Sequence, residues 1–481
     1  MKLKALTLAV ATSVTLMGCA QTQTHSNASE LAQIQKVLQT NADMAYAAYS
    51  DSLATALELK AAIADLRMNP SDDTLAAAKK AWLTAREPYG QTEVYRFRLS
   101  PIDSTNYQDE DGPEGDINAW PLGEALIDYT VAGNDFGNDQ LGVTEHQTPV
   151  NDGQPITVDD LNHTIIGNPD IAINRDLLAK TATAEDEHDV LAGYHAIEFL
   201  LWGQDLNRNA SPDTQGEREK AVKTWQAPNL AQGGQRPVSD FISNADNDAA
   251  DRRLTYLAVA VDKLIDDLRQ VKNGWAPGQS DNYRAQFTQV TTLAEGREKM
   301  AEILTGMGTL SEGELAGERM QIALSADSQE DEHSCFSDNT HRDIVLNALG
   351  IQNSYYGDYQ GYDSDFDGKP DAGTVVTGYG FDDYLADLGQ TQLGTKLEAQ
   401  FANTEQGYQA IDRLAREGTP VDVVIMNPMS EDAKPMRDTI LSLNKQSAEI
   451  AKLAKALGVE KNVVDPDASA CDTSNPTAQC D

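Results

Sequence analysis

One stretch, Gly193-Tyr194-His195-Ala196-Ile197-Glu198-Phe199-Leu200-Leu201-Trp202-Gly203, carries an imidazole and a carboxylate where apolar residues are expected. Three residues apart on a helix, His195 and Glu198 share one face and are close enough to share one ion. Imidazole with carboxylate suits zinc, iron and other first-row metals. Leu191, Ile197, Leu200, Leu201 and Trp202 surround the pair, so a charge placed there needs a partner. The alternative is a core histidine hydrogen-bonded to its helical neighbour. Two ligands do not complete a zinc site. Glu93, in Thr92-Glu93-Val94-Tyr95-Arg96-Phe97, is the candidate third ligand, with Arg96 beside it to orient ligands or meet a substrate carboxylate.

Three further groups have chemistry-bearing spacing. Glu185 to His188 and Glu330 to His333 are both E-x-x-H, the pair used by di-iron carboxylate bundles. Both fall at expected helix starts, where carboxylates favour the dipole, and capping explains them better. Asp363-Ser364-Asp365-Phe366-Asp367-Gly368 opens like a calcium loop, and Asp371 stands at the ninth position. Thr374 occupies the twelfth position in place of the bidentate Glu, so the alternative is an acidic surface loop. There is no H-E-x-x-H zinc-peptidase helix, G-x-S-x-G elbow, phosphate loop or dinucleotide fingerprint.

The elements that must position these residues are helices. Hydrophobic periodicity predicts helices over 30–67, 74–97, 185–203 and 239–271, a four-helix bundle in which Pro88 kinks the second member. Gly274-Trp275-Ala276-Pro277-Gly278 reads as a joint. Beyond it a second set is expected at 283–305, 312–326, 391–416 and 432–457. The stretches 374–377 and 421–425 are short enough to be strands without forming a sheet. The fold class is therefore all-α: two four-helix-bundle domains with long irregular loops, spanning 30–273 and 279–458. The recurrence of Glu185-Asp186-Glu187-His188 as Glu330-Asp331-Glu332-His333 suggests internal duplication and places Asp343 at the register of Glu198.

Lys2 and Lys4 precede an apolar run to Met17 that is too short to span a membrane and fits a secretion signal, residues 1–18. Leu16-Met17-Gly18-Cys19 resembles a bacterial lipobox, which makes Cys19 the lipid anchor and 19–29 a polar tether. Ala20 after it suggests sorting to the outer membrane, facing periplasm or surface. Formal net charge is −39, which excludes nucleic acid as a partner. Of the four cysteines, Cys471 and Cys480 are expected to form a local disulfide in the 459–481 tail. Cys335 reads as a small buried residue.

An ordered set of segments resembles the imelysin peptidase family, in its iron-regulated lipoprotein and insulin-cleaving membrane peptidase group. These are Gly193-Tyr194-His195-Ala196-Ile197-Glu198 for the G-x-H-x-x-E hallmark, and Trp82, Ala85, Arg86, Pro88, Tyr89, Glu93 and Arg96 on the second helix. Trp120-Pro121-Leu122 with Ile127-Asp128-Tyr129, Arg236-Pro237 with Asp240-Phe241, Gly317-Glu318-Arg319-Met320, and 330–341 complete the set. The resemblance implies two helical bundles with the site between or beside them. It also implies a metal, iron favoured over zinc, held by Glu93, His195 and Glu198, with Arg96, Asp338 and His341 as neighbours. The expected function is iron acquisition at the cell envelope, with iron-uptake components or a metal-bound ligand as partners. The alternative is a metal-dependent peptidase in which Glu198 or Glu93 is the general base.

Overall fold

Between Cys19 and Met68 there is neither glycine nor proline, and the chain forms one long helix, α1 (Ser13–Met68). It starts before the expected Glu30, because nothing in the polar stretch 20–29 stops a helix. The computed structural model describes residues 13–118, 120, 122–129, 164–179, 190–205, 233–243, 249–326, 331–459, 463–464 and 469–480, with side chains of the first helix from 27 onward. Pro70 follows the end of α1, and Ser71 caps α2 (Asp72–Gly90) through a reciprocal bond set with Thr74. The expected 74–97 helix thus ends earlier. Pro88 lies in its last turn, and Glu93–Tyr95 is a separate 3₁₀ turn closed by Arg96.

The remaining long elements are α3 (Gly193–Trp202), α4 (Ala249–Gly274), α5 (Leu293–Thr309), α6 (Thr340–Tyr356), α7 (Thr391–Arg416) and α8 (Lys434–Ala456). Helix α5 runs on through a π-helical segment, Leu310–Gln321, into Ile322–Ala326. Helices α1 to α4 pack in a ring, each on the next and α4 back on α1. Helices α5 to α8, with the π segment, do the same, and α1 and α2 lie against α5 and α6. Apolar side chains of both rings form one continuous buried cluster. Trp275, at the expected joint, is fully buried in it.

Two helical expectations are corrected. The stretches 283–305 and 312–326 hold a short helix, Tyr283–Thr288, and then one unbroken rod rather than two helices. Gly306 and Gly308, which resemble a break, instead allow close approach. A Cβ on them would stand 2.3 Å from the Val94 carbonyl oxygen and 2.1 Å from that of Val463. The fourth member of the second ring is α6, which periodicity misses because Thr340, His341, Arg342, Asp343, Asn347 and Asn353 are buried on it. Val421–Ile425 is a helical turn following Pro420 and not a strand. Val376–Thr377 pairs antiparallel with Asp358–Tyr359, so the acidic loop is the tip of a small hairpin. No helix among the described residues is long and apolar enough to cross a membrane.

Candidate functional site

Gly193 opens α3 at φ 82°, and a Cβ there would lie 2.4 Å from the Ile117 carbonyl oxygen. Only glycine fits that conformation and that approach, and it sets the angle at which α3 enters the core. His195 and Glu198 are both fully buried. His195 Nδ1 lies 2.8 Å from Glu198 Oε2, while Glu198 Oε1 accepts from the Ser337 amide at 3.0 Å and its hydroxyl at 2.6 Å. Burial pushes the Glu198 carboxyl up to about 8. Burial also holds the His195 imidazole well below its usual range, and His333 and Arg86 add to this. His195 Nε2 is buried with no hydrogen-bond partner among the described residues.

Beside it stands a second imidazole of the same design. The His333 ring meets that of His195 edge to face, with centroids 4.7 Å apart. His333 Nδ1 lies 2.8 Å from Asp343 Oδ2, which also accepts from the Ser334 hydroxyl at 2.5 Å. Arg86 on α2 donates to Asp343 Oδ1 from Nη2 at 3.0 Å and from Nε at 3.3 Å, and reaches Asn118 with Nη1. Its guanidinium lies 5.0 Å from the Tyr194 ring centroid and 5.4 Å from that of Tyr89. Burial alone would raise the Asp343 carboxyl, but Arg86, His333 and Ser334 together hold it well below the usual range. Burial lowers the His333 imidazole, and the charge of Arg319 lowers it further. Trp120 closes the apolar side of His195, 4.9 Å from it between ring centroids.

Glu93 joins a neighbouring ion cluster. Its Oε2 accepts from Arg96 Nη1 at 3.0 Å and from Arg319 Nη2 at 3.1 Å, while Oε1 is buried with no partner among the described residues. Arg319 also pairs with Glu314, and Arg96 reaches Glu114 at 3.4 Å and Glu314 at 3.6 Å. The expected triad therefore falls into two adjoining groups. Glu93, His195 and Glu198 are not among the described sets whose ligand atoms all lie within 4.8 Å of one another. Glu198 spends its oxygens on His195 and Ser337, so it orients the imidazole.

The other predicted residues are dispersed. Asp338, in a left-handed conformation at φ 55°, comes together with Asp205 and Asp422. His341 Nδ1 lies 2.8 Å from Asp412, in a network with Arg342, Glu87 and Arg416. Asp363, Asp365 and Asp371 converge within 4.8 Å, and Asp367 is outside that set. Cys471 and Cys480 are disulfide-bonded. Cys335 is a buried free thiol pushed well up by burial. Glu185 to His188 lie outside the described residues, as does the side chain of Cys19. Sequence reasoning set aside His333 as part of a capping run and gave no role to Asp343 or Arg86. The register echo that placed Asp343 on Glu198 is the signal that could have found the second histidine–carboxylate pair.

Imidazole nitrogen and carboxylate oxygen are donor types that first-row metals take, but no described set of three such ligand atoms within 4.8 Å of one another includes His195 or His333. Each imidazole has its Nδ1 on a carboxylate, Glu198 for His195 and Asp343 for His333, the way metal-binding histidines are usually oriented, and His195 Nε2 has no hydrogen-bond partner among the described residues. Comparison with known proteins bears on the same residues. No curated protein matches. Solved structures do: a candidate iron-regulated protein A precursor from Parabacteroides distasonis, 17% identical, covers 87% of this chain and 95% of its own at a TM-score of 0.50. An imelysin-like protein from Psychrobacter arcticum, 13% identical, covers 89% and 96% at a TM-score of 0.51. At such identity these share the fold. The imelysin family profile matches residues 45–463, which include Glu93, the G-x-H-x-x-E helix and His333. The chain belongs to the imelysin family.

Proposed function

We propose that this imelysin-family protein binds a metal ion, iron in preference to zinc, and serves iron acquisition at the cell envelope, anchored through Cys19. His195 Nε2 and the neighbouring His333 would hold the ion, and Glu198 and Asp343 would orient the two rings. Glu93, His195 and His333 are not a described set with ligand atoms all within 4.8 Å of one another, so Glu93 would have to move to add its Oε1. The observation that carries this reading is His195 Nε2, a buried ligand atom with no hydrogen-bond partner among the described residues. A buried polar atom left unpaired costs about 1–3 kcal/mol unless something occupies it. Burial keeps both imidazoles in the neutral form that ligates. The ion, when bound, supplies the attraction for an anionic or chelated ligand, and Arg96, whose side chain is 16% exposed, is the cation that would meet it at the surface.

The preference for iron rests on the iron-regulated description of the Parabacteroides protein, because nitrogen and oxygen donors suit several ions. Equilibrium dialysis of the tag-free protein against ferrous, ferric and zinc ions tests it. Stoichiometric iron retained over zinc supports the reading; no retention of any ion by a folded protein overturns it.

A metal-dependent peptidase is the second reading, favoured by one atom. Glu93 Oε1 is a buried carboxylate oxygen with no hydrogen-bond partner among the described residues, and a carboxylate is a residue type that serves as general base. Peptide cleavage abolished by chelator and by Glu93→Gln would establish it. A binding role fits better because Glu198, the hallmark carboxylate, has both oxygens engaged by His195 and Ser337.

A further inference from the structure

The tail disulfide closes a loop whose main-chain carbonyls gather on one side chain. Gln321, fully buried at the last position of the π segment, donates from Nε2 to the carbonyls of Asp472 at 3.1 Å, Asn475 at 3.2 Å and Ala478 at 3.1 Å. All three acceptors lie between Cys471 and Cys480. The loop is also tied down by Asn444, which donates to the Thr473 hydroxyl at 2.8 Å and lies 3.3 Å from Glu312 of the π segment. Ser469, just before the loop, packs on Gly317, where a Cβ would stand 2.2 Å from its hydroxyl. Both cysteines are partly exposed, within reach of a reductant.

A π-helix is rare and usually a single turn, because five-residue bonding is poorer than four-residue bonding. Twelve residues of it, Leu310–Gln321, need an external hold. The register matters to the site. Arg319 reaches Glu93, and Glu314 reaches Arg319 and Arg96, all from this segment. Relaxation to four-residue bonding would turn these side chains about the helix axis and break their shared pairing.

We propose that the Cys471–Cys480 disulfide is a redox-sensitive latch that holds the π register through Gln321 and thereby keeps Arg319 on Glu93. A dithiol reductant opens it. One of its thiolates attacks a loop sulfur and the S–S bond breaks. Two electrons and two protons pass to the cysteines as thiols, and the reductant leaves as its own disulfide. The open loop no longer brings three carbonyls to one amide, and the π segment loses its hold.

Hydrogen–deuterium exchange of the full chain tests this. On reduction, and in Cys471→Ser/Cys480→Ser, amides of 310–322 and of the 93–96 turn should exchange at least about tenfold faster while 391–416 stays unchanged. Gln321→Leu, with the disulfide intact, should accelerate the same two segments. Acceleration confined to 469–480 overturns the latch. If the double variant exchanges faster throughout, Gln321→Leu decides: unchanged protection of 310–322 in it also overturns the latch.

Discussion

Arg86 on α2 and Asp343 on α6 form a buried ion pair between the two rings, with Nη2 and Nε both on Oδ1 at 3.0 and 3.3 Å. The same carboxylate holds His333, so the pair joins the scaffold to the candidate metal centre. Removing one partner of a buried pair leaves an uncompensated charge, which costs about 3–5 kcal/mol. Arg86→Met should lower unfolding stability by about that much in urea titration, and Arg86→Met/Asp343→Asn should recover part of the loss. Additive losses would show that the two residues are not coupled.

His333 should matter to metal binding as much as His195 does. His333→Ala and His195→Ala should each weaken iron binding by at least about tenfold, the scale of losing one well-oriented ligand contact or its support. Asp343→Asn should weaken it less while leaving the site assembled. Iron titration followed by calorimetry reads all three. Wild-type affinity in His333→Ala would remove that residue from the ligand set.

Glu198 gives a pH signature with a definite sign. Its carboxyl is raised from 4.5 to about 8 in the folded protein, so between those values the folded state holds more protons than the unfolded one. Its contribution to stability is complete below about 4.5 and is lost as pH rises toward about 8. Glu198→Gln keeps the shape without the ionisation, and His195 is present in both proteins. Metal-free Glu198→Gln should therefore gain on the wild type between pH 5 and pH 8, by on the order of 1–3 kcal/mol. Thermal melts across that range check it. A difference that does not change with pH would mean that Glu198 is ionised throughout.

The hairpin loop offers an independent cation test. Asp363, Asp365 and Asp371 converge, and Asp363 already accepts from the Asp367 and Gly368 amides. If calcium is held there, millimolar calcium should raise Tm in the wild type and not in Asp363→Asn. Equal shifts in both would reduce the loop to an acidic turn.

The all-α character was legible because α1, α7 and α8 carry apolar side chains at helical spacing. The second ring was only partly legible. Helix α6 buries Thr340, His341, Arg342 and Asp343, and a helix whose inner face is polar has no hydrophobic period to read. The unbroken run of α5 into the π segment hides for a different reason: Gly306 and Gly308, near the end of α5, serve backbone contacts with Val94 and Val463, which no local pattern announces. At the site, the hallmark helix exposed His195 and Glu198, but their roles depend on Ser337 and His333, more than a hundred residues away. Spacing three apart fixes a shared face; it does not say whether the second group binds the ion or the first group.

The most direct test of the central claim is the metal content of tag-free wild-type protein, His195→Ala and His333→Ala after exposure to iron and zinc, measured by elemental analysis beside circular dichroism. The account predicts one iron per wild-type chain, and little or none in either variant at unchanged helical content. Equal metal in all three folded proteins, or none in the wild type, would contradict it.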